Sequence, residues 1–597
     1  MIGLYPIGVV PINGLVGESV APPVEVVVGH SAQWRLVVLL GGEDVSHLLS
    51  GQVEIDREEG AAAVAEFSLF FPPGVPVPVD VPQREVTLDF VVTTDGVSRV
   101  ARLFTGAVAE PEWSATDRLM RLTCTDRLQQ RVEMLSLAQL NSLIPGVWSD
   151  DVFDPAEGRQ RWEVAQDLLS TLPASLDCSV TGEIRLTSWY AQAPAYRFGA
   201  GSAVHESVQV ELAQLRNALN RAEIEVNFRY TQLWQHTERY GWLHPGLHGL
   251  IDTPGFCQWR VWSTETPDVP MIESAVESSG QVLVGAPNYQ RVLLSSGNPC
   301  GDGVPWINTY ADLLLGADFQ AARRWTQTVT ETYRVVLATP AGLEPGGEVV
   351  TRDSVSIEVE NPLADTWEDS LKTRSGGAVV GGSGVDVPSP NPLGDEARRR
   401  AGLSAVMWQA RTEIIAAHRE TTVSWTVPTP LALGVDLIHT LELADQYTHA
   451  VGKCRRVVHR LDHETGEALT DLSIASMQGV AGGDPMAVPA PLDVTLPPLA
   501  DTPGPPDAGR LPTQIGGRVN HPPNASGPTG GGPVEPYNDA LDGFAGNYDA
   551  NDDSTAEQFP RRFTISSRAI PELYRDELTR EGQTLIRIGI PSDRLEL

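Results

Sequence analysis

The strongest constraint on the fold comes from residues 84–128, which carry three strand patterns in close succession. In residues 85–90 (EVTLDF) apolar and polar residues alternate, and this period of two puts one strand face in a core and the other in water. Residues 102–108 (RLFTGAV) and 119–124 (LMRLTC) predict two more strands. Residues 114–117 (SATD) favour a turn, so the sequence predicts a tightly connected antiparallel meander.

Composition extends the β prediction to the whole chain. With 597 residues the chain is too long for one core and predicts roughly three to five domains. Its 55 Gly and 46 Pro indicate many turns, and 41% hydrophobic with 20% charged residues is typical of a folded protein. Gly106, inside the second predicted strand, favours a bulge or tight bend in a curling sheet.

Charge excludes several classes of function. Asp and Glu number 77 against 43 Lys and Arg, which gives a net charge of -34. Such a surface repels nucleic acid and anionic membranes, so we expect no stable nucleic-acid binding. Lys372 and Lys453 are the only lysines, and neither has the context of a phosphate-binding loop or a Schiff-base site.

Cysteine spacing and the absence of targeting patterns indicate a cytoplasmic site of synthesis and assembly. The five widely spaced cysteines form no CxxC motif and predict isolated buried thiols, with a Cys257–Cys300 disulfide as the alternative. No basic segment precedes the apolar start, so no signal peptide is expected. No apolar run reaches the roughly 18 residues of a membrane span.

The string LFTGAVAEPEWSATDRLMRLTCTDRL (residues 103–128) resembles the first barrel of the central hub proteins of phage tail baseplates, the group that includes the late control D proteins. In that family an "rlFxGxV" strand is followed by a strand that ends "lxctDrl". The resemblance reaches back to residues 45–56. It is a pattern of strands and turns and therefore implies a barrel, not a catalytic centre.

A second resemblance lies roughly 300 residues further on. Asp395 is the expected N-cap of a helix of about six turns. Four predicted strands follow this helix, at 421–427, 435–441, 450–461 and 468–476. The helix, the strands and the string VVHRLDHETGEALTDLSIA resemble the second barrel of the hub family. Residues 162–189, predicted as a helix and a hairpin, resemble the small α+β domain that follows the first barrel.

The predicted fold class is mainly β (α+β), with two barrel-like β domains of phage-hub type separated by smaller α+β domains. The predicted parts are an extended N-terminal arm (1–28), the first barrel (29–130), a small α+β domain (131–215), a β-rich middle domain (216–375), a linker loop (376–395), a helix with the second barrel (396–480), a Pro/Gly-rich tether (481–545) and a small C-terminal module (546–597).

Three local predictions complete the description of the chain. Residues 128–143 predict one short helical connection, and residues 571–581 predict another short helix. Residues 585–590, with alternating Ile, predict a strand that belongs to a small module or adds to another subunit's sheet.

Candidate chemical sites are few, and we expect no catalytic, cofactor-binding or metal-binding residues. His236, His244 and His248 lie in HTERYGWLHPGLH without a second ligand at a known metal spacing, which favours structural histidines. Residues 549–553 (DANDD) begin like a calcium loop. Ser and Pro stand where that loop needs Gly and Glu, which weakens the calcium interpretation.

Acidic pairs are the remaining candidates for chemistry. Glu58 with Glu59, and Glu110 with Glu112, are candidate glycosidase carboxylates, but in a chain with 77 acidic residues solvated strand edges explain them more simply. No Gly-x-Ser-x-Gly, His-Glu-x-x-His or dinucleotide-binding glycine pattern is present. We therefore expect a protein that is not an enzyme.

The resemblance implies a structural virion protein, the hub of a phage or phage-derived tail tip, assembled in the cytoplasm of a bacterial host. Three chains would place six barrels around one axis, adapt a sixfold tube to a threefold tip and line a DNA exit channel with acidic residues. Implied partners are two further copies, the distal tail ring, the tape measure, other tail-tip or tail-fibre proteins and the host cell surface. A tail-associated cell-wall hydrolase and a receptor-binding tip protein remain the alternatives.

Overall fold

The computed structural model describes residues 24–25, 32–94, 97–213, 219–243, 269–291, 314–340, 350–359, 381–382, 385–386, 393–480, 486–494, 496–497, 565, 567 and 569–597. Most of the predicted arm, linker loop and tether lies outside these residues. The mainly β fold class is confirmed. In the described ranges no helix is long and apolar enough to cross a membrane.

The first barrel is a strongly curved antiparallel sheet. The N-terminal strands are β1 (Val24–Glu25), β2 (Ala32–Leu40), β3 (Glu43–Asp44), β4 (Leu49–Glu58), β5 (Val64–Phe70), β6 (Glu85–Thr94), β7 (Val97–Ser114) and β8 (Leu119–Thr125). Its strand order is β4-β5-β8-β7-β6-β2-β3. Alternating residues of β2 and β4 to β8 are buried in one shared core, where Trp34 stacks on Phe90 at 5.5 Å between ring centroids.

The predicted meander is present as β6, β7 and β8, and β7 is longer than predicted. It starts at Val97 and continues to Ser114, because it pairs with β6 over its first half and with β8 over its second half. Gly106 lies where the two halves meet. A Cβ atom there would lie 2.4 Å from the Thr125 carbonyl oxygen, so the close approach of β8 requires glycine.

A small α+β domain follows the first barrel. Its elements are α1 (Leu128–Glu133), α2 (Leu137–Leu143), α3 (Arg161–Ser170), β9 (Ala174–Cys178), β10 (Ile184–Ser188), β11 (Tyr196–Phe198) and β12 (Gln209–Glu211). The helical connection predicted over 128–143 is present as two short helices, because Ser136 starts α2 with a capping box to Gln139. β9 and β10 form the predicted hairpin, and Gly182 turns at φ +83.

The middle domain is built on one long ribbon. Its elements are β13 (Arg221–Leu243), α4 (Val269–Ser278), β14 (Val282–Leu283), β15 (Asn288–Arg291), β16 (Leu314–Ala338), β17 (Val350–Val359), β18 (Gly381–Gly382) and β19 (Val385–Asp386). β13 and β16 pair antiparallel over the full length of β13. At the usual rise per residue this ribbon spans about 75 Å.

The second barrel follows a long helix. These elements are α5 (Leu393–Ala417), β20 (Thr421–Pro428), β21 (Thr440–Asp445), β22 (Thr448–Asp462) and β23 (Ala468–Ser476). β22 pairs with both β21 and β23, and the short strands β12, β11 and β1 extend this sheet. α5 begins at Leu393, so Asp395 lies in its first turn and the N-cap prediction is wrong. Leu403 and Ile414 of α5 pack on the ribbon.

The C-terminal residues return to the folded core. A 3-10 turn at Glu572–Tyr574 replaces the helix predicted over 571–581, and β24 (Leu578–Arg587) and β25 (Leu595–Glu596) follow. The helix prediction is wrong because tertiary contacts prevail: Tyr574 packs edge-on against Trp234, and β24 pairs in parallel with β16. β24 thus joins the middle sheet of its own chain, and β25 joins β22.

We expect residues 565–597, co-expressed as a separate chain with residues 1–497, to copurify with them. β24 pairs with β16 over its whole length, and Ile586, Ile588 and Ile590 are buried. Pull-down of a tagged fragment measures the association. Ile588→Asp should abolish it, whereas Leu585→Asp, at a half-exposed position, should not. Fragments that separate under native conditions would contradict the pairing.

Candidate functional site at the junction of the two barrels

The two barrels are joined by one strand pair, which we call the seam. Gln52–Glu58 of β4 pairs antiparallel with Arg456–Asp462 of β22, so β4 has a neighbour from each barrel. The Trp34 indole adds a second bridge and donates to the Gly466 carbonyl at 2.9 Å. Because backbone hydrogen bonds cross the seam, the barrels form one continuous sheet and cannot separate without breaking it.

A buried ion network lies beneath the seam. Arg57 of β4 points into the interior with 2% exposure and contacts Asp436 of the second barrel at 2.8 Å. Arg185 of β10 donates to both carboxylate oxygens of Asp436, at 2.7 and 2.8 Å, and to Asp177 at 2.7 Å. Arg57 also donates to the Cys178 carbonyl at 2.9 Å. The network therefore connects both barrels to the small α+β domain.

Burial and ion pairing shift the pKa values of these carboxylates in opposite directions. Burial alone would raise the pKa of Asp436, but the hydrogen bond from Arg185 and the charges of Arg57 and Arg185 outweigh it and lower the pKa to about 2. Burial raises the pKa of Asp177 despite its contact with Arg185. Asp436 therefore holds its charge firmly and anchors both arginines.

A second buried ion pair lies at the end of β4. Glu59 and Arg419, which follows α5, contact each other at 2.6 Å, and Arg419 lies over the Trp189 ring. Burial raises the pKa of Glu59, while burial lowers the pKa of neighbouring Lys453 to about 8. Glu59 Oε1 and Arg419 Nε have no hydrogen-bond partner, so the pair is incompletely satisfied.

The solvent face of the seam forms a polar hollow of about 600 Å³ across both barrels. Its acidic lining residues are Glu54, Glu211 and Asp471, and its basic lining residues are Arg456 and Arg460. Asp56, Glu58 and Glu66 lie beside it on the outer faces of β4 and β5. Arg456 pairs with Asp56 at 2.5 Å and Arg460 with Asp471, so the other four acids have no ion pair among the described residues and the surface is acidic.

The acidic pairs do not form a catalytic arrangement. Glu59 is buried against Arg419, whereas Glu58 belongs to the outer face of β4, so the two carboxylates point away from each other. Glu110 and Glu112 are exposed on β7. In the part of the chain that the structure describes, no three His, Cys, Asp or Glu residues are grouped as a metal site.

The remaining candidate residues from the sequence either are buried in the fold or lie outside the described residues. His236 is buried beside Glu238, at 3.5 Å, whereas His244 and His248 are not described. Cys124, Cys178 and Cys454 are buried free thiols, and burial raises the pKa of each to about 12. The Cys257–Cys300 alternative and the calcium-loop segment 549–553 also lie outside.

Sequence reasoning missed the ion network at the seam. The available signal was Arg57, which follows Val53 and Ile55 at the next inward-facing position of β4. A charged residue at a core position requires a buried partner. Its partner Asp436 is distant in sequence and lies in a loop, because the strand predicted over 435–441 begins only at Thr440.

Solved structures of phage tail proteins match this chain at low identity. A tail protein from Neisseria meningitidis MC58 is 12% identical, with 74% of this chain and 96% of that chain covered and a TM-score of 0.33. A prophage MuSo2 tail protein from Shewanella oneidensis is 9% identical, with 74% and 98% covered and a TM-score of 0.35. A prophage tail protein from Listeria monocytogenes is 7% identical, with 74% and 94% covered and a TM-score of 0.28.

These three proteins are tail proteins, the class of protein that the sequence resembles. No family model and no curated protein matches the chain. TM-scores of this size carry no functional assignment, so function rests on the chain's own features.

Asp436→Asn should destabilise the protein by about 3–5 kcal/mol at pH 7, because it leaves Arg57 buried without a counter-charge and leaves Arg185 with Asp177 alone. Urea denaturation measures the loss, and Asp56→Asn, at the partly exposed seam pair, should cost less than about 1 kcal/mol.

The Asp436 pKa is about 2 in the fold against 3.8 unperturbed. The contribution of Asp436 to the free energy of unfolding is therefore complete above pH 3.8 and is lost as the pH falls through about 2. Equal denaturation midpoints for the two variants would contradict the role of the network.

Proposed function

We propose that the chain is the central hub of a phage or phage-derived tail tip, as a trimer whose six barrels surround a DNA exit channel. The observation that carries this proposal is the seam, which fuses two barrels of one chain side by side in a single sheet. Three such chains present six barrels around a threefold axis, the geometry required between a sixfold tube and a threefold tip. The two sequence resemblances coincide with the two fused barrels.

The polar hollow over the seam is the surface proposed to face the channel. It spans both barrels and carries no large exposed apolar side chain, and the four acids Glu54, Glu58, Glu66 and Glu211 in and beside it have no arginine partner among the described residues. A negative wall repels phosphates and lets DNA pass, whereas a wall of arginines would retain it. The distal tail ring, the tape measure and tail-fibre proteins are the proposed neighbours, and the proposed location is the virion tail tip.

A structural role without catalysis follows from how the carboxylates are engaged. The buried acids Asp436, Asp177 and Glu59 are each held by arginine, and an acid in such a pair is not available for proton transfer. The exposed acids of the hollow lie spread along strands. Two further buried acids, Asp126 and Glu331, are held by backbone amides and by tyrosine hydroxyls, and we assign no hydrolase site to the described residues.

Replacing Glu54 and Glu66 together by Arg should slow DNA ejection several-fold in assembled particles. The two residues face each other across β4 and β5 on the hollow, and their replacement adds phosphate-binding charge to the proposed wall. Ejection followed by dye fluorescence measures the rate, and the slowing should diminish at higher salt because salt screens the contact.

Glu157→Arg, an equivalent change at an exposed position of the small α+β domain, is the matched control and should leave ejection unchanged. Ejection at the normal rate from particles that contain the Glu54→Arg, Glu66→Arg hub would contradict the channel assignment.

A further inference from the structure

The turn between β21 and β22 holds two non-glycine residues in a left-handed conformation. Gln446 has φ +49 and Tyr447 has φ +66. Hairpin turns of this kind usually contain Asn or Gly, because other L residues are strained there. A third residue of this type, Glu206 at φ +60, lies against the same turn.

Hydrogen bonds from a neighbouring loop hold the strained turn in place. The Gln446 side chain donates to the Val204 carbonyl at 2.8 Å and accepts from the Glu206 amide at 3.0 Å. Asp445 accepts from the Ala203 amide at 3.1 Å. The turn is therefore rigid and presents Tyr447 in one direction.

Nothing among the described residues covers the Tyr447 side chain, which is fully exposed. A large aromatic side chain gains nothing there that would offset the strain of its backbone. Backbone strain that its surroundings hold in place is typical of a functional contact, and tyrosine is among the residues that dominate protein interfaces. Tyr447 therefore has the properties of an interface anchor.

A complementary surface lies at one end of the first barrel. Trp113 is 39% exposed there, and the Arg118 guanidinium lies 6.0 Å from its ring centroid. Arg118 donates to the Phe71 carbonyl at 2.6 Å and makes no ion pair among the described residues. Arg118 also donates to the Pro72 and Val75 carbonyls, at 3.3 and 3.4 Å, so backbone oxygens hold its guanidinium beside Trp113. Trp113 and Arg118, which we call the barrel-end patch, offer a partly exposed aromatic ring and a cation without a counter-ion among the described residues, the chemistry that receives a tyrosine ring.

We propose that Tyr447 of one copy docks on the barrel-end patch of the next copy in the ring. This inference rests on the proposed trimer and specifies one contact between neighbouring copies in it. Tyr447 and the patch lie on different barrels, so their contact is heterologous and closes into a ring by rotation. Glu206 beside Tyr447 is exposed and brings a negative charge toward Arg118, which favours this partner.

Tyr447→Gly tests the contact because it separates assembly from stability. Glycine adopts the left-handed conformation without strain, so the thermal stability of the dilute chain should stay the same or rise. Self-association measured by sedimentation velocity should weaken about tenfold or more. Tyr447→Asn, which also tolerates this conformation, is a second variant with the same expected result.

A double-mutant cycle identifies the partner residue. Trp113→Ala should weaken association by a similar factor, and the Tyr447→Gly, Trp113→Ala protein should be no weaker than either single variant. Met134→Ala, at an exposed position of the small α+β domain, is the control and should associate like the unaltered chain.

Unaltered association of both Tyr447 variants, or additive losses in the double variant, would overturn the docking contact and leave the trimer standing. An unaltered chain that stays monomeric at every concentration would overturn the trimer itself and the docking contact with it.

Discussion

The pairing of β4 with β22 determines how the rest of the chain is arranged. β4 is the edge strand of the first barrel, and an unpaired edge exposes a row of backbone donors and acceptors. Here β22, roughly 400 residues later in the chain, satisfies that edge. The seam therefore fixes the relative position of the two barrels, and the small α+β domain and the long ribbon are placed around it.

Charged residues hold the underside of this junction together with apolar packing, since Leu461 of β22 lies in the core of the first barrel. Asp436 accepts from Arg185 and contacts Arg57, and these three residues come from three different parts of the fold. A buried ion pair contributes little net stability, but it strongly penalises any arrangement that leaves one charge without its partner. The network therefore selects one geometry of the barrels, which suits a protein that acts as a rigid adaptor.

Local patterns predicted local structure well. The strands β6, β7 and β8 lie where alternation placed them, since each strand pairs with its neighbour in sequence. The helix predicted over 571–581 was wrong, because β24 pairs with a strand about 250 residues earlier and only that pairing favours strand over helix there. Arg57 was visible as a charge at a core position, but its partner Asp436 depends on the tertiary fold.

Threefold-averaged cryo-electron microscopy of the assembled tail tip tests the central claim most directly. The account predicts a ring of six barrels from three chains, with the seam of each chain turned toward the axis and Glu54 and Glu66 on the inner wall. A ring in which the seam faces outward, or a chain bound at the periphery with no barrel on the axis, would contradict it.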